Sequence, residues 1–246
     1  VTTVAPLTKH PAKFSEPILD VLDRLVAKEA KRRRLVGAGG MTVVDPFAGV
    51  GRIHRLARAP KGRAHGFVIR TLGLEIEAPW AACHRDTLCV DAIDWLLWVA
   101  AGGAPLVQMY CTSPTYGNRY SDHHDAQDGS VRHSYTHYLG RQPTKGSSAV
   151  MPWGPDYWEF TSLAYRLMLA AAEPGAPFVL NVSDFVKGKE LVAAAAWHLG
   201  AAIGAGWSVD RTTRTRRVPT SRHRHGENYE ARAPFEVVYS FRKAAA

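Results

Sequence analysis

The chain has 246 residues, 46% hydrophobic and 22% charged, the balance of an ordinary globular protein and enough to bury one full core. Its 31 Lys and Arg outnumber 22 Asp and Glu for a formal charge of +9, which points to a polyanionic partner. No run approaches the roughly 18 apolar residues of a membrane span and no signal-peptide core opens the chain, so a cytoplasmic protein with no membrane partner is expected.

Residues 1–14 are polar and end in His10-Pro11-Ala12-Lys13-Phe14. Ser15 is placed to cap a helix in which Glu16 and Pro17 make the first turn and Ile18, Leu22, Leu25 and Val26 share a face. The run Lys31–Arg34 reads as its solvated basic end. Val43 and Val44 suit a buried strand, Asp45 ends it, and Gly49 and Gly51 allow a sharp turn that a ligand can approach closely. A helix over 52–59, a strand over 67–75 and two carboxylates, Glu75 and Glu77, follow. Strand, glycine turn, helix, strand, acid is the order of a doubly wound sheet, whose second-strand carboxylate can accept ribose hydroxyls.

A short strand over 86–91, a helix over 93–101 and a fourth strand over 106–110 deliver Ser113 at a strand's carboxyl end, where an open α/β sheet does its chemistry. From 117 to 155 periodicity fails. That stretch mixes Arg119, Tyr120, Arg132, His133, His137 and Trp153, side chains that stack on bases and pair with phosphates. His133 and His137 can share a helix face, but no second ligand set accompanies them, so no metal is expected. Cys83, Cys89 and Cys111 have no disulfide or zinc spacing and should be reduced and mostly buried. A helix over 156–171, a strand over 178–182, a helix over 187–202 and strands over 206–209 and 235–241 complete the pattern, the last expected antiparallel. Between the final two lies an arm, 211–232, with Arg214, Arg216, Arg217, Arg222 and Arg224. A solvated hairpin is the plain reading of it, and a nucleic-acid arm the functional one.

Two motifs, Asp45-Pro46-Phe47-Ala48-Gly49-Val50-Gly51 and Ser113-Pro114-Thr115-Tyr116, in this order resemble the cofactor and catalytic motifs of S-adenosylmethionine-dependent amino-methyltransferases of DNA. The resemblance spans most of 9–242 and, with His10–Phe14 first, follows the motif order called gamma. It implies a Rossmann-like class I α/β fold of one domain over 1–246, a mostly parallel seven-stranded sheet with an antiparallel edge strand. The implied cofactor is S-adenosylmethionine. Its methionine end would be covered by Lys13 and Phe14, and its body would lie on the Asp45–Gly51 turn. Glu75 matches the ribose position better than Glu77. Ile76 or Trp80 would face the adenine, and Asp91-Ala92, with Asp94 as a rival, would reach the adenine amino group. Ser113 would touch both cofactor and substrate.

An exocyclic amine is a poor nucleophile because its lone pair is delocalised into the ring. Acceptors beside it, here the Ser113 hydroxyl and the Pro114 carbonyl, favour a more tetrahedral nitrogen as charge develops, while Tyr116 can stack on a flipped base. Methylation at cytosine carbon 5 uses a cysteine that commonly follows proline, which none of the three does. Serine at the first motif position leans toward cytosine N4 in DNA, in a restriction-modification or viral setting. Adenine N6, an RNA amine and a catalytically idle nucleic-acid-binding protein are the alternatives. Thr115 stands where the family usually has a second proline. The chain ends almost as soon as the sheet does, so target recognition is expected from 117–155 and 211–232, with a short or relaxed target sequence.

Overall fold

The structure is a computed structural model and describes residues 6, 8–10, 14–34, 40–58, 68–115, 135–187, 190–213, 215–219 and 233–245. Helix α1 (Glu16–Arg32) buries Ile18, Leu19, Leu22, Val26 and Ala30, as the 3.6-residue period requires. Ser15 holds the cap position without a side-chain capping bond. The basic run at its end is not merely solvated. Glu29, 3% exposed, accepts from both Arg32 and Arg33, and Arg33 also reaches the Gln108 carbonyl and Glu173, because a buried carboxylate needs cationic donors around it.

Strands β1 (Gly40–Asp45), β2 (Val68–Glu75), β3 (Thr87–Cys89), β4 (Met109–Thr112) and β5 (Pro177–Ser183) run parallel in the order β3-β2-β1-β4-β5. Outside β5, in numbers that follow chain order, β10 (Phe235–Arg242) pairs antiparallel. Its outer edge is shared by β8 (Ser208–Val209) and β9 (Arg216–Pro219). The sheet has eight strands, one more than the sequence pattern suggested, because Arg216–Pro219 pairs with β10.

Helices α2 (Arg55–Arg58), α3 (Ala78–Ala81) and α5 (Tyr135–Leu139) are short. Neighbouring strand residues point to opposite faces. Val44, Tyr110, Phe178, Leu180 and Phe241 therefore meet α4 (Ala92–Ala100), α6 (Pro155–Ala170) and α7 (Ala194–Gly204), while Val43, Met109, Cys111, Val179 and Val238 meet α1. The chain moves outward from β1 to β3 and returns on the other side at β4, so a crevice opens above the carboxyl ends of β1 and β4.

Two expected boundaries move by three residues or more. The fourth strand starts at Met109, three residues later than the apolar run suggests, since Leu106 is exposed and Val107 only bridges Ala172. The helix expected over 187–202 begins at Ala194. Phe185–Lys187 (β6) and Glu190–Val192 (β7) pair instead as a small antiparallel ladder, in which Phe185 and Val186 oppose Val192 and Leu191. No helix among the described residues is long and apolar enough to cross a membrane.

Candidate active site

Asp45, 1% exposed at the end of β1, is an organiser of the crevice floor. Its Oδ1 accepts from the Thr112 hydroxyl at 2.6 Å and the Phe47 N–H at 3.0 Å, tying the first turn to the end of β4. Burial outweighs these two bonds and pushes its carboxyl up to about 7. A raised folded pKa means that this stability contribution is present below the unfolded value near 4 and is lost as pH rises through about 7. Asp45→Asn should abolish that slope, worth up to about 4 kcal/mol across the window at roughly 1.4 kcal/mol per unit. Glu75 titrates in the same window and buried His198, pushed down to about 3, in the opposite sense. Denaturant unfolding of both proteins from pH 4 to 8 isolates Asp45, and parallel curves would contradict its assignment.

The turn after β1 needs its glycines. Gly49 and Gly51 have φ of +53° and +73°, and a Cβ on Gly51 would lie 2.6 Å from the His54 ring. The Gly49 N–H donates to Glu75 Oε2 at 2.9 Å and the Glu77 N–H to Glu75 Oε1 at 2.8 Å. These bonds aim the Glu75 carboxylate and leave it lone pairs for hydroxyl donors. Burial pushes its carboxyl up to about 7 against them, and the Glu77 charge adds to the push.

The two candidate carboxylates thus separate. Glu77, 1% exposed, accepts from Arg141 Nη2 at 2.6 Å, the Thr144 N–H at 2.5 Å and the Thr144 hydroxyl at 3.1 Å. It fastens the 141–148 segment over the end of β2 and is a structural clamp. Asp91 caps α4, accepting from the Ile93 N–H at 2.7 Å. A Cβ on Gly146 would sit 3.3 Å from Asp91 Oδ2 and 3.7 Å from Ile76, so the clamped segment passes close above both.

Pro46, Phe47, Glu75, Ile76, Asp91, Ala92, Ser113 and Thr115 line one crevice. Sequence reasoning missed several of its other walls. His10 touches Gly49, where an added Cβ would meet its ring at 2.8 Å, and sets its edge against Trp80 and Tyr135. Trp80 is fully buried and donates to the Lys9 carbonyl at 3.0 Å, which makes it an anchor for that segment, not an adenine contact. Tyr135, Ser147, Ser148 and Phe160 also line the crevice. Phe14 instead packs in the core beside α1, and Ala48 is buried against Gly73. Lys13 and Tyr116 lie outside the described residues.

Ser113 stands at the crevice with Pro114 buried behind it. Asn181 Nδ2, on β5, lies 3.4 Å from its hydroxyl and donates to Glu236 at 2.8 Å. Thr115 is held at two points. Its hydroxyl is 2.6 Å from that of Ser148, and its carbonyl accepts from Tyr157, which also meets His198.

Of the residues expected at a nucleic-acid interface, Trp153 is half-buried among Tyr157, Phe185 and Trp197. Arg216 and Arg217 are exposed on β9. Arg119, Tyr120, Arg132, Arg214, Arg222 and Arg224 lie outside the described residues, as does His133. Among the described residues, ligand atoms of His54, His84 and Asp86 fall within 4.8 Å of one another. Both His54 nitrogens already face the hydroxyls of Thr71 and Thr87, at 2.9 and 2.8 Å, and its ring stacks on His84, so a cation there would have to displace those bonds. Cys111 is buried, whereas Cys89 is exposed, contrary to expectation.

No protein-family model matches this chain, and no curated protein does. Solved structures do. A Listeria monocytogenes protein, a candidate class I S-adenosylmethionine-dependent methyltransferase, superposes with a TM-score of 0.52 at 12% identity, over 94% of this chain and 61% of its own. The chain therefore has the class I methyltransferase fold and spans about three fifths of that protein's length. TrmN from Thermus thermophilus gives 0.47 at 16% identity over 92% and 48% of the two chains, and the [4+2]-cyclase SpnF gives 0.48 at 15% over 100% and 88%.

Proposed function

We propose that the chain is an S-adenosylmethionine-dependent methyltransferase that modifies an exocyclic base amine in DNA, with N4 of cytosine as its target. One observation carries this reading: Ser113, at the carboxyl end of β4, lines the same crevice as Glu75, Ile76 and Asp91. A hydrogen-bond acceptor for a substrate thus stands beside groups suited to a nucleoside cofactor.

The residues present fit that cofactor. Glu75, aimed by Gly49 and Glu77, can accept both ribose hydroxyls, Ile76 offers an apolar face, and Asp91 can accept from an adenine amino group. When bound, S-adenosylmethionine supplies an electrophilic methyl group. Ser113 accepts a proton of the target amine through a hydrogen bond, which stabilises positive charge developing on that nitrogen. The Pro114 carbonyl is a second acceptor, and Gly146, Ser147 and Ser148 wall the crevice beside it. Exposed Arg216 and Arg217 carry positive charge for phosphates.

The Glu75 carboxyl, pushed up to about 7, makes affinity pH-dependent. Its anion is the better acceptor, and its population falls about tenfold per unit below its pKa. The cofactor dissociation constant measured by calorimetry should therefore rise from pH 8 to pH 5. Glu75→Gln should bind weakly at every pH. A flat wild-type profile, or an unaffected variant, would remove Glu75 from the cofactor site.

A further inference from the structure

Behind the Ser113–Thr115 segment runs a line of buried polar groups. Tyr157, Tyr165 and His198 are all fully buried. Tyr157 donates to the Thr115 carbonyl, His198 Nε2 lies 3.1 Å from the Tyr157 oxygen, and His198 Nδ1 lies 2.8 Å from that of Tyr165. Trp153 and Trp197 pack around the imidazole, leaving it no route to bulk water. Burying three polar side chains is unfavourable unless each is hydrogen-bonded, and this set is bonded in one direction only.

The polarity follows from proton counting. Tyr157 has one hydroxyl proton and gives it to a carbonyl, so toward His198 its oxygen accepts. Nε2 must then carry the imidazole proton, and Nδ1 accepts from Tyr165. The order is Tyr165 O–H to Nδ1, Nε2–H to Tyr157, Tyr157 O–H to the Thr115 carbonyl. Burial pushes the His198 pKa down to about 3, which keeps the imidazole neutral, and its two hydrogen bonds fix the tautomer.

The line ends on the carbonyl of Thr115, two residues after Ser113. Thr115 has no ring to fix its φ. Its position is set from outside, by Tyr157 on the carbonyl and Ser148 on the hydroxyl. We propose that Tyr157, His198 and Tyr165 are positioning residues that hold the Ser113–Thr115 segment in its working geometry, in the role a second proline would fill through its ring. This rests on the turn being the methyl-transfer site proposed above.

The test is a coupling experiment. Tyr157→Phe and His198→Phe should each lower kcat about tenfold to a hundredfold, the range of small misplacements near the chemistry, with the cofactor dissociation constant unchanged. In a Thr115→Pro background, where the ring fixes φ, the further loss from His198→Phe should shrink to about twofold, a non-additivity that general damage to the core would not produce. Thr115 has negative φ and its N–H donates to no backbone group of the described residues, two conditions that a proline requires. If His198→Phe does not fold, Tyr157→Phe, which removes one oxygen, gives the same comparison. Independently, ¹⁵N NMR of the wild-type protein should show His198 as a neutral Nε2–H tautomer that does not titrate between pH 5 and 8. Undiminished kcat in the variants, an equal loss in both backgrounds, or an Nδ1–H tautomer would overturn the proposal. No methylated product from the wild-type protein would instead sink the functional reading beneath it, and with it this role.

Discussion

Ser113→Ala is expected to lower methyl transfer about a hundredfold while leaving cofactor affinity within about twofold. The size is that of removing one preorganised polar partner from developing charge in a closed site. The selectivity follows from position. The bonds of Asp45, Glu75 and Asp91 to the backbone do not pass through Ser113, so the groups proposed to hold the cofactor keep their arrangement. Single-turnover rates and calorimetric affinities measured on the same preparation separate the two effects. Equal losses in both would make Ser113 a structural residue of the turn.

Arg141→Met should be the most damaging single change to the crevice wall. An exposed ion pair is worth at most about 1 kcal/mol, and breaking a buried one costs about 3–5 kcal/mol. The Arg141–Glu77 pair is asymmetric, with the arginine side chain 48% exposed and the glutamate 1%. The dry end decides, because without arginine the Glu77 charge keeps, among the described residues, the Thr144 side-chain and backbone donors alone. The expected loss is about 2–3 kcal/mol in denaturant unfolding. Cofactor affinity should fall too, since Gly146–Ser148 form a wall of the crevice. Glu77→Gln, which removes the buried charge itself, should cost less. A loss below about 0.5 kcal/mol for Arg141→Met would show that the pair behaves as a surface contact.

What could be seen in the sequence was local. Val43–Asp45 with Gly49 and Gly51 marks a strand breaking into a turn because β-branched residues and left-handed glycines have few other uses in that order, and the Leu74-Glu75 strand end follows from the same alternation. The groups that arrived unannounced do so through tertiary contact. Glu77 reads as a second candidate carboxylate until Arg141, 64 positions later, is folded onto it. His10 reads as one residue of a polar segment until Trp80 takes the Lys9 carbonyl. The helix expected over 187–202 begins at Ala194, where the alanine run favours a helix, whereas Phe185, Val186, Leu191 and Val192 gain more by cross-strand pairing. His198 and Tyr157 look like ordinary members of two amphipathic helices, and only the packing of α6 on α7 brings them together at Thr115.

The central claim is that this crevice passes a methyl group to a base amine in DNA. It is tested most directly by incubating the protein with methyl-deuterated S-adenosylmethionine and duplex DNA, single-stranded DNA or RNA, digesting each to nucleosides and weighing the product. The expected result is deuterated N4-methylcytosine from DNA, lost in Ser113→Ala. Deuterated N6-methyladenine would keep the site and change the base, and label in RNA alone would move the substrate. No label in any nucleic acid, from a protein that binds the cofactor, would contradict the account.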